Sequence, residues 1–95
     1  MKKSEAVAKL LENFLKFIKK HKALEKIASE YEQYAAGSPE EQLETVRAKI
    51  LPYEFYIDDG LDLLLNAKGI NMADMDKEVK AKIREYVKAL IELSR

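Results

Sequence analysis

Along the first third of the chain, Val7, Leu10, Phe14, Phe17, Leu24, Ala28, Tyr31 and Ala35 recur in steps of three and four, with His21 in the same register. That spacing predicts an amphipathic helix with one buried stripe. Leu11, Leu15, Ile18 and Ile27 widen the stripe. Ser4 suits the N-cap, and Gly37 suits the C′ position that ends a helix. A straight helix from Ser4 to Ala36 would run about 50 Å, which is long for so short a chain. A bend is therefore expected, and the polar run Lys19-Lys20-His21-Lys22 is its predicted place.

Gly37-Ser38-Pro39-Glu40-Glu41 reads as a loop passing into a helix. Glycine stops one helix, serine caps the next, proline takes its first position, and the acids face its positive end. The second apolar stripe is Leu43, Val46, Ile50, Tyr53, Ile57, Leu61 and Leu64. Pro52 interrupts it, because proline has no amide donor and disfavours α geometry at the residue before it. A kink or break is expected within 50–54, and Asp58-Asp59-Gly60 is a possible second break. Asn66-Ala67-Lys68-Gly69 closes the segment with another glycine. In the last helix Met75, Val79, Ile83, Tyr86, Val87, Leu90 and Ile91 form the apolar face, with Asn71 or Asp74 expected as its cap.

These elements predict an all-α fold: one domain over 1–95, a compact helical bundle of three long helical segments kinked into about four or five helices. Three Gly and two Pro are too few for the turns of an all-β chain. A chain that is 47% hydrophobic and 36% charged is not of the disordered class. Absence of cysteine removes disulfides, thiolate metal sites and a cysteine nucleophile. No apolar run approaches a membrane span of about 20 residues, so a soluble chain is expected. Net charge is zero but uneven, at +5 over 1–26, −7 over 27–62 and +2 over 63–95. Such asymmetry steers a charged partner or neutralises neighbouring helices.

The Gly37–Glu41 connection, consistent caps and Lys/Glu-rich exposed faces resemble a helix-design recipe. Ser38–Ile50 and Asp74–Ser94 look like tracts of computationally (de novo) designed helical proteins. Such proteins are usually made to bind a chosen protein. The resemblance therefore implies a binder, with its contact surface in the less regular stretch 51–72.

The residues themselves point to the same stretch. Three of the eight aromatics, Tyr53, Phe55 and Tyr56, fall within four positions beside Glu54, Asp58, Asp59 and Asp62. Aromatics with a charged rim suit a protein contact. The expected partner-binding residues are Tyr53, Glu54, Phe55, Tyr56, Asp58, Asp59, Asp62 and Met72. Packing of the rings on the bundle, with a solvated acidic face, is the bland alternative. The Asp-x-Asp-x-Asp-Gly spacing of a calcium loop is missing, and one histidine is too few for a zinc site. No metal and no cofactor are expected. Lys16, Lys19, Lys20, Lys22 and Lys26 lack interleaved aromatics, so no nucleic acid is expected. His21 on the core stripe reads as a packed histidine. Its alternative role is a general base with a carboxylate in a small helical enzyme or ligand-binding bundle. A natural bacterial interaction protein, such as an immunity factor, is a further alternative. The reading adopted is a non-enzymatic binder of an unidentified protein target, monomeric when free.

Overall fold

A computed structural model describes residues 2–56, 65–71 and 75–95, with the backbone alone for Tyr56. The all-α expectation holds, and no strand occurs among the described residues. Helix α1 spans Lys3–Lys20 and is followed by a 3-10 turn, Lys22–Leu24. Helix α2 spans Glu25–Tyr34, α3 spans Pro39–Lys49, and α4 spans Lys77–Ser94. A second 3-10 segment, Leu51–Tyr56, follows α3.

The predicted bend falls at His21, which is extended (φ −116°, ψ 111°) without help from glycine or proline. The chain then folds back on itself. Phe14 and Tyr31 would lie about 25 Å apart on a straight helix, yet their ring centroids are 5.0 Å apart, edge to face. The long first segment is thus a helical hairpin. Burial drives the reversal, because Leu24 and Ile27 reach the same core as Leu11 and Ile18.

Helix α1 packs against α2, α3 and α4, so it is the central element. Its buried stripe is Val7, Leu11, Phe14 and Ile18, while Leu10 and Phe17 sit at its edge. Val46 and Ile50 meet it from α3, and Ile83, Val87, Leu90 and Ile91 meet it from α4. The radius of gyration is 12.6 Å, near the roughly 12 Å of a single compact domain this long.

The α2–α3 connection forms as its residues predict. Gly37 takes φ +86°. The Glu41 amide donates to Ser38 Oγ at 3.2 Å, and the Ser38 amide donates to Glu41 Oε1 at 3.1 Å. That reciprocal pair is a capping box. Gly69 takes φ +85° and closes the short helical piece 65–67. There the Ile70 amide reaches Leu65 O at 3.0 Å and the Gly69 amide reaches Asn66 O at 2.9 Å, a Schellman closure. Leu65 and Ile70 are both buried, as that closure favours.

Two caps differ from expectation. Ser4 lies inside α1, buried, with Oγ directed to Glu40 Oε1 at 3.4 Å, and extended Lys2 precedes the helix instead. Packing of α1 on the start of α3 draws the hydroxyl away from its own backbone. Asp76, not Asn71 or Asp74, caps α4, its carboxylate accepting the Glu78 amide at 2.7 Å. Met75 is consequently buried just before the helix rather than within it.

Candidate functional site

The break at Pro52 shapes the aromatic segment. Helix α3 still closes its last turn, with the Ile50 amide on Val46 O at 2.9 Å. Pro52 then offers no amide, and the next bond is the i→i+3 contact from the Tyr53 amide to Ile50 O at 3.0 Å. A 3-10 helix has three residues per turn, so positions three apart share a side. Ile50 and Tyr53 take the inner side, Leu51 and Glu54 the half-buried side, and Pro52 and Phe55 the outer side. The ring of Phe55 is 86% exposed.

Tyr53 bridges the two environments. It is 39% exposed, yet it borders a gap of about 30 Å³ beside Phe14, Ile27 and Ile50. That volume suits at most one water, so Tyr53 acts as a cover on the core. Glu54 is half-buried and forms an ion pair with Arg95 at the end of α4. Tyr53, Glu54 and Phe55 therefore share one segment but face three ways. Asp58, Asp59, Asp62 and Met72, and the second break considered at Asp58-Asp59-Gly60, lie outside the described residues. So does the side chain of Tyr56.

His21 departs from the buried stripe position. It is half-buried at the helix break, its ring 4.5 Å from that of Phe17. Once α1 stops at Lys20, the extended backbone at His21 removes the ring from the helical register. The ring borders an open groove of about 430 Å³ between the end of α1 and the start of α4. Glu78 and Glu85 line the same groove. Among the described residues no hydrogen bond or ion pair joins His21 to a carboxylate. The orientation a general base requires is not formed there.

Sequence reading missed a polar network beside the gap that Tyr53 covers. Lys68 Nζ donates to Glu30 Oε1 at 2.8 Å, and the Tyr34 hydroxyl donates to the same oxygen. Burial alone would raise the Glu30 pKa, but these bonds and the Lys68 and Lys49 charges outweigh it and hold the carboxyl below its ordinary range. Burial pushes the Tyr31 phenol well above its ordinary value, and Glu30 adds to this. Burial and the bond to Glu30 do the same to Tyr34. The 38-residue separation of Lys68 from Glu30 left no local signal. The groove beside Phe17 was equally hidden, since it is lined jointly by the end of α1 and the start of α4.

Among the described residues no cluster of three His, Cys, Asp or Glu side chains could hold a metal ion. None of the described helices is long and apolar enough to cross a membrane. The chain matches no known protein family, no curated protein and no solved structure.

Proposed function

We propose that the chain is a non-enzymatic protein-binding module, built in the manner of designed helical binders, that engages a protein partner through the segment carrying Phe55. The exposure of Phe55 carries the reading. Among the described residues the other large apolar side chains lie in the core or at its edge, except Leu15, which is half-buried, and Tyr53, which still covers core residues. Covering a phenyl ring returns about 1.5–3 kcal/mol, the scale of an interface anchor. Pro52 and the 3-10 turn hold the ring out on a backbone anchored to α3 and α4, which limits the entropy lost on binding. The sequence beside the ring is acidic, with Asp58, Asp59 and Asp62 besides the Arg95-paired Glu54, which suits a basic partner surface.

The test is photocrosslinking with a purified partner first isolated by affinity capture. A photoreactive phenylalanine analogue at position 55 is expected to give one adduct. The same analogue at position 12, exposed on α1, is expected to give none. Adduct from position 12 and none from position 55 would sink the proposal.

A further inference from the structure

Near the start of α4, Glu78, Lys82 and Glu85 follow at spacings of four and three, which sets them along one side of the helix. Ala81 lies among them, and with Val79 and the ring of Phe17 it gives the groove of about 430 Å³ its apolar surface. A small residue at position 81 leaves room that a larger one would fill. The Phe17 ring is half-buried and braced by two others, its centroid 4.5 Å from that of His21 and 5.5 Å from that of Tyr86. The apolar surface is therefore formed before any ligand arrives, which limits the cost of binding. The volume falls within the roughly 300–1,000 Å³ of clefts that take small ligands.

Charge decides the kind of ligand. Two carboxylates and one lysine border the groove. Lys82 pairs with Glu85 at 3.6 Å. The Glu78 amide donates to Asp76, but the Glu78 carboxylate has no hydrogen bond or ion pair among the described residues. On the α1 side Lys19 pairs with Glu32 at 3.0 Å, and neither Lys20 nor Lys22 borders the groove. The groove thus offers one uncommitted negative charge beside an aromatic and aliphatic surface.

We infer that the groove binds a small arylalkylammonium ion, an aromatic ring carrying an amine on a short alkyl chain. The ring covers Phe17, Val79 and Ala81, and aromatic pairs of this kind meet offset or edge-on. The ammonium donates to the Glu78 carboxylate, a charge-assisted hydrogen bond. A bare cation would leave the apolar surface wet. A neutral arene would leave Glu78 without a partner, and an aryl carboxylate would meet like charge. Phe55 does not border the groove, so failure of this reading and failure of the Phe55 reading are separate events.

Two variants divide the ligand into its parts. Glu78→Gln removes the charge and keeps the shape. Ala81→Leu fills the apolar surface and keeps the charge. Both positions are exposed on α4, and leucine is a good helix former. Circular dichroism checks that both variants fold.

Titration of the isotope-labelled full chain, followed by the shifts of its assigned amide resonances, reads both site and affinity. The probe is tryptamine. Tryptophol, which carries a hydroxyl in place of the amine, and indole-3-acetate, which carries a carboxylate, are the controls. Tryptamine is expected to shift residues 17, 21, 79 and 81 saturably, with a Kd on the order of 1 mM for a ligand of this size in an open groove. Tryptophol should bind about three- to fivefold more weakly, the worth of a solvent-exposed ion pair, and indole-3-acetate more weakly still. Glu78→Gln should bring tryptamine to the level of tryptophol and leave tryptophol unchanged. Ala81→Leu should remove the binding of both. No saturation by about 10 mM, shifts centred away from the groove, equal affinity for tryptamine and tryptophol, or indifference to either variant would overturn the inference.

Discussion

Glu54 and Arg95 form an ion pair that joins the segment bearing Phe55 to the end of α4. The pair is half in water: the Glu54 side chain is 26% exposed and that of Arg95 52%. Solvent screening therefore limits it to about 0.2–1 kcal/mol. A double-mutant cycle with Glu54→Gln and Arg95→Ala, read by urea unfolding, is expected to give a coupling in that range. Its contribution lies in holding the short segment against α4 more than in global stability.

The two phenylalanines at positions 14 and 55 are expected to behave oppositely. Phe14 is fully buried, stacked on Tyr86 with centroids 4.8 Å apart and edge-on to Tyr31. Phe14→Ala should cost about 3–5 kcal/mol, a large share of the 5–15 kcal/mol typical of a domain. Phe55→Ala should stay within about 0.5 kcal/mol of wild type. Denaturant unfolding of both variants checks the contrast. A large loss at position 55 would mean that its ring is packed.

The α2–α3 connection offers a separate test. Gly37 has φ +86°, and a Cβ there would lie 3.1 Å from the Glu41 carboxyl. Gly37→Ala should destabilise by about 1–2 kcal/mol from backbone conformation. Ser38→Ala removes the cap and should cost about 1 kcal/mol. The two losses should not add, because both disturb the same capping box. Thermal or urea unfolding of the single and double variants measures this.

Acid sensitivity should come in part from Glu30. Its folded pKa is depressed because bonds from Lys68 and Tyr34 and nearby positive charge outweigh burial. A depressed carboxyl stabilises fully above its unfolded value of about 4.3 and loses that contribution as pH falls through the folded value. Glu30→Gln should lower stability near neutral pH and flatten its decline between about pH 5 and pH 2. At the other extreme, Tyr31 and Tyr34 have raised values. Their contribution is complete below about pH 10 and is lost as pH rises further. Urea midpoints across pH for wild type, Glu30→Gln and Tyr34→Phe test both signs.

Local chemistry was the most legible part of this chain. Gly37-Ser38-Pro39 and Gly69 announced their closures because each needs a particular residue type at a particular dihedral. Pro52 announced its break for the same reason. The bend at His21 followed from length, although its full reversal did not, since only packing of Ile27 and Tyr31 on α1 dictates it. Ser4 misled because a helix N-cap and a buried interhelical serine look alike in sequence. The cap of α4 was expected at Asn71 or Asp74, before the actual cap Asp76, because Met75 continued the apolar period before the helix began. In the candidate site Phe55 stands about 200° round from Tyr53 at 3.6 residues per turn and about 240° at three, so either register turns it off the apolar stripe; whether another element covered it was not legible locally. Contacts such as Arg47 Nε to Ser94 O, 2.9 Å across 47 residues, leave no trace in a local pattern.

Affinity of a purified protein partner for wild type and for Phe55→Ala, measured side by side by titration calorimetry, tests the binding reading most directly. Loss of an anchor worth about 2 kcal/mol corresponds to a Kd about 30-fold weaker, with unfolding stability unchanged. Neutralising Asp58 and Asp59 should alter association rate and salt dependence more than dissociation. The account predicts the weakening at Phe55 and little change for substitutions on the exposed face of α1, such as Glu12→Ala. Equal affinity for wild type and Phe55→Ala, with binding abolished from α1, would contradict it.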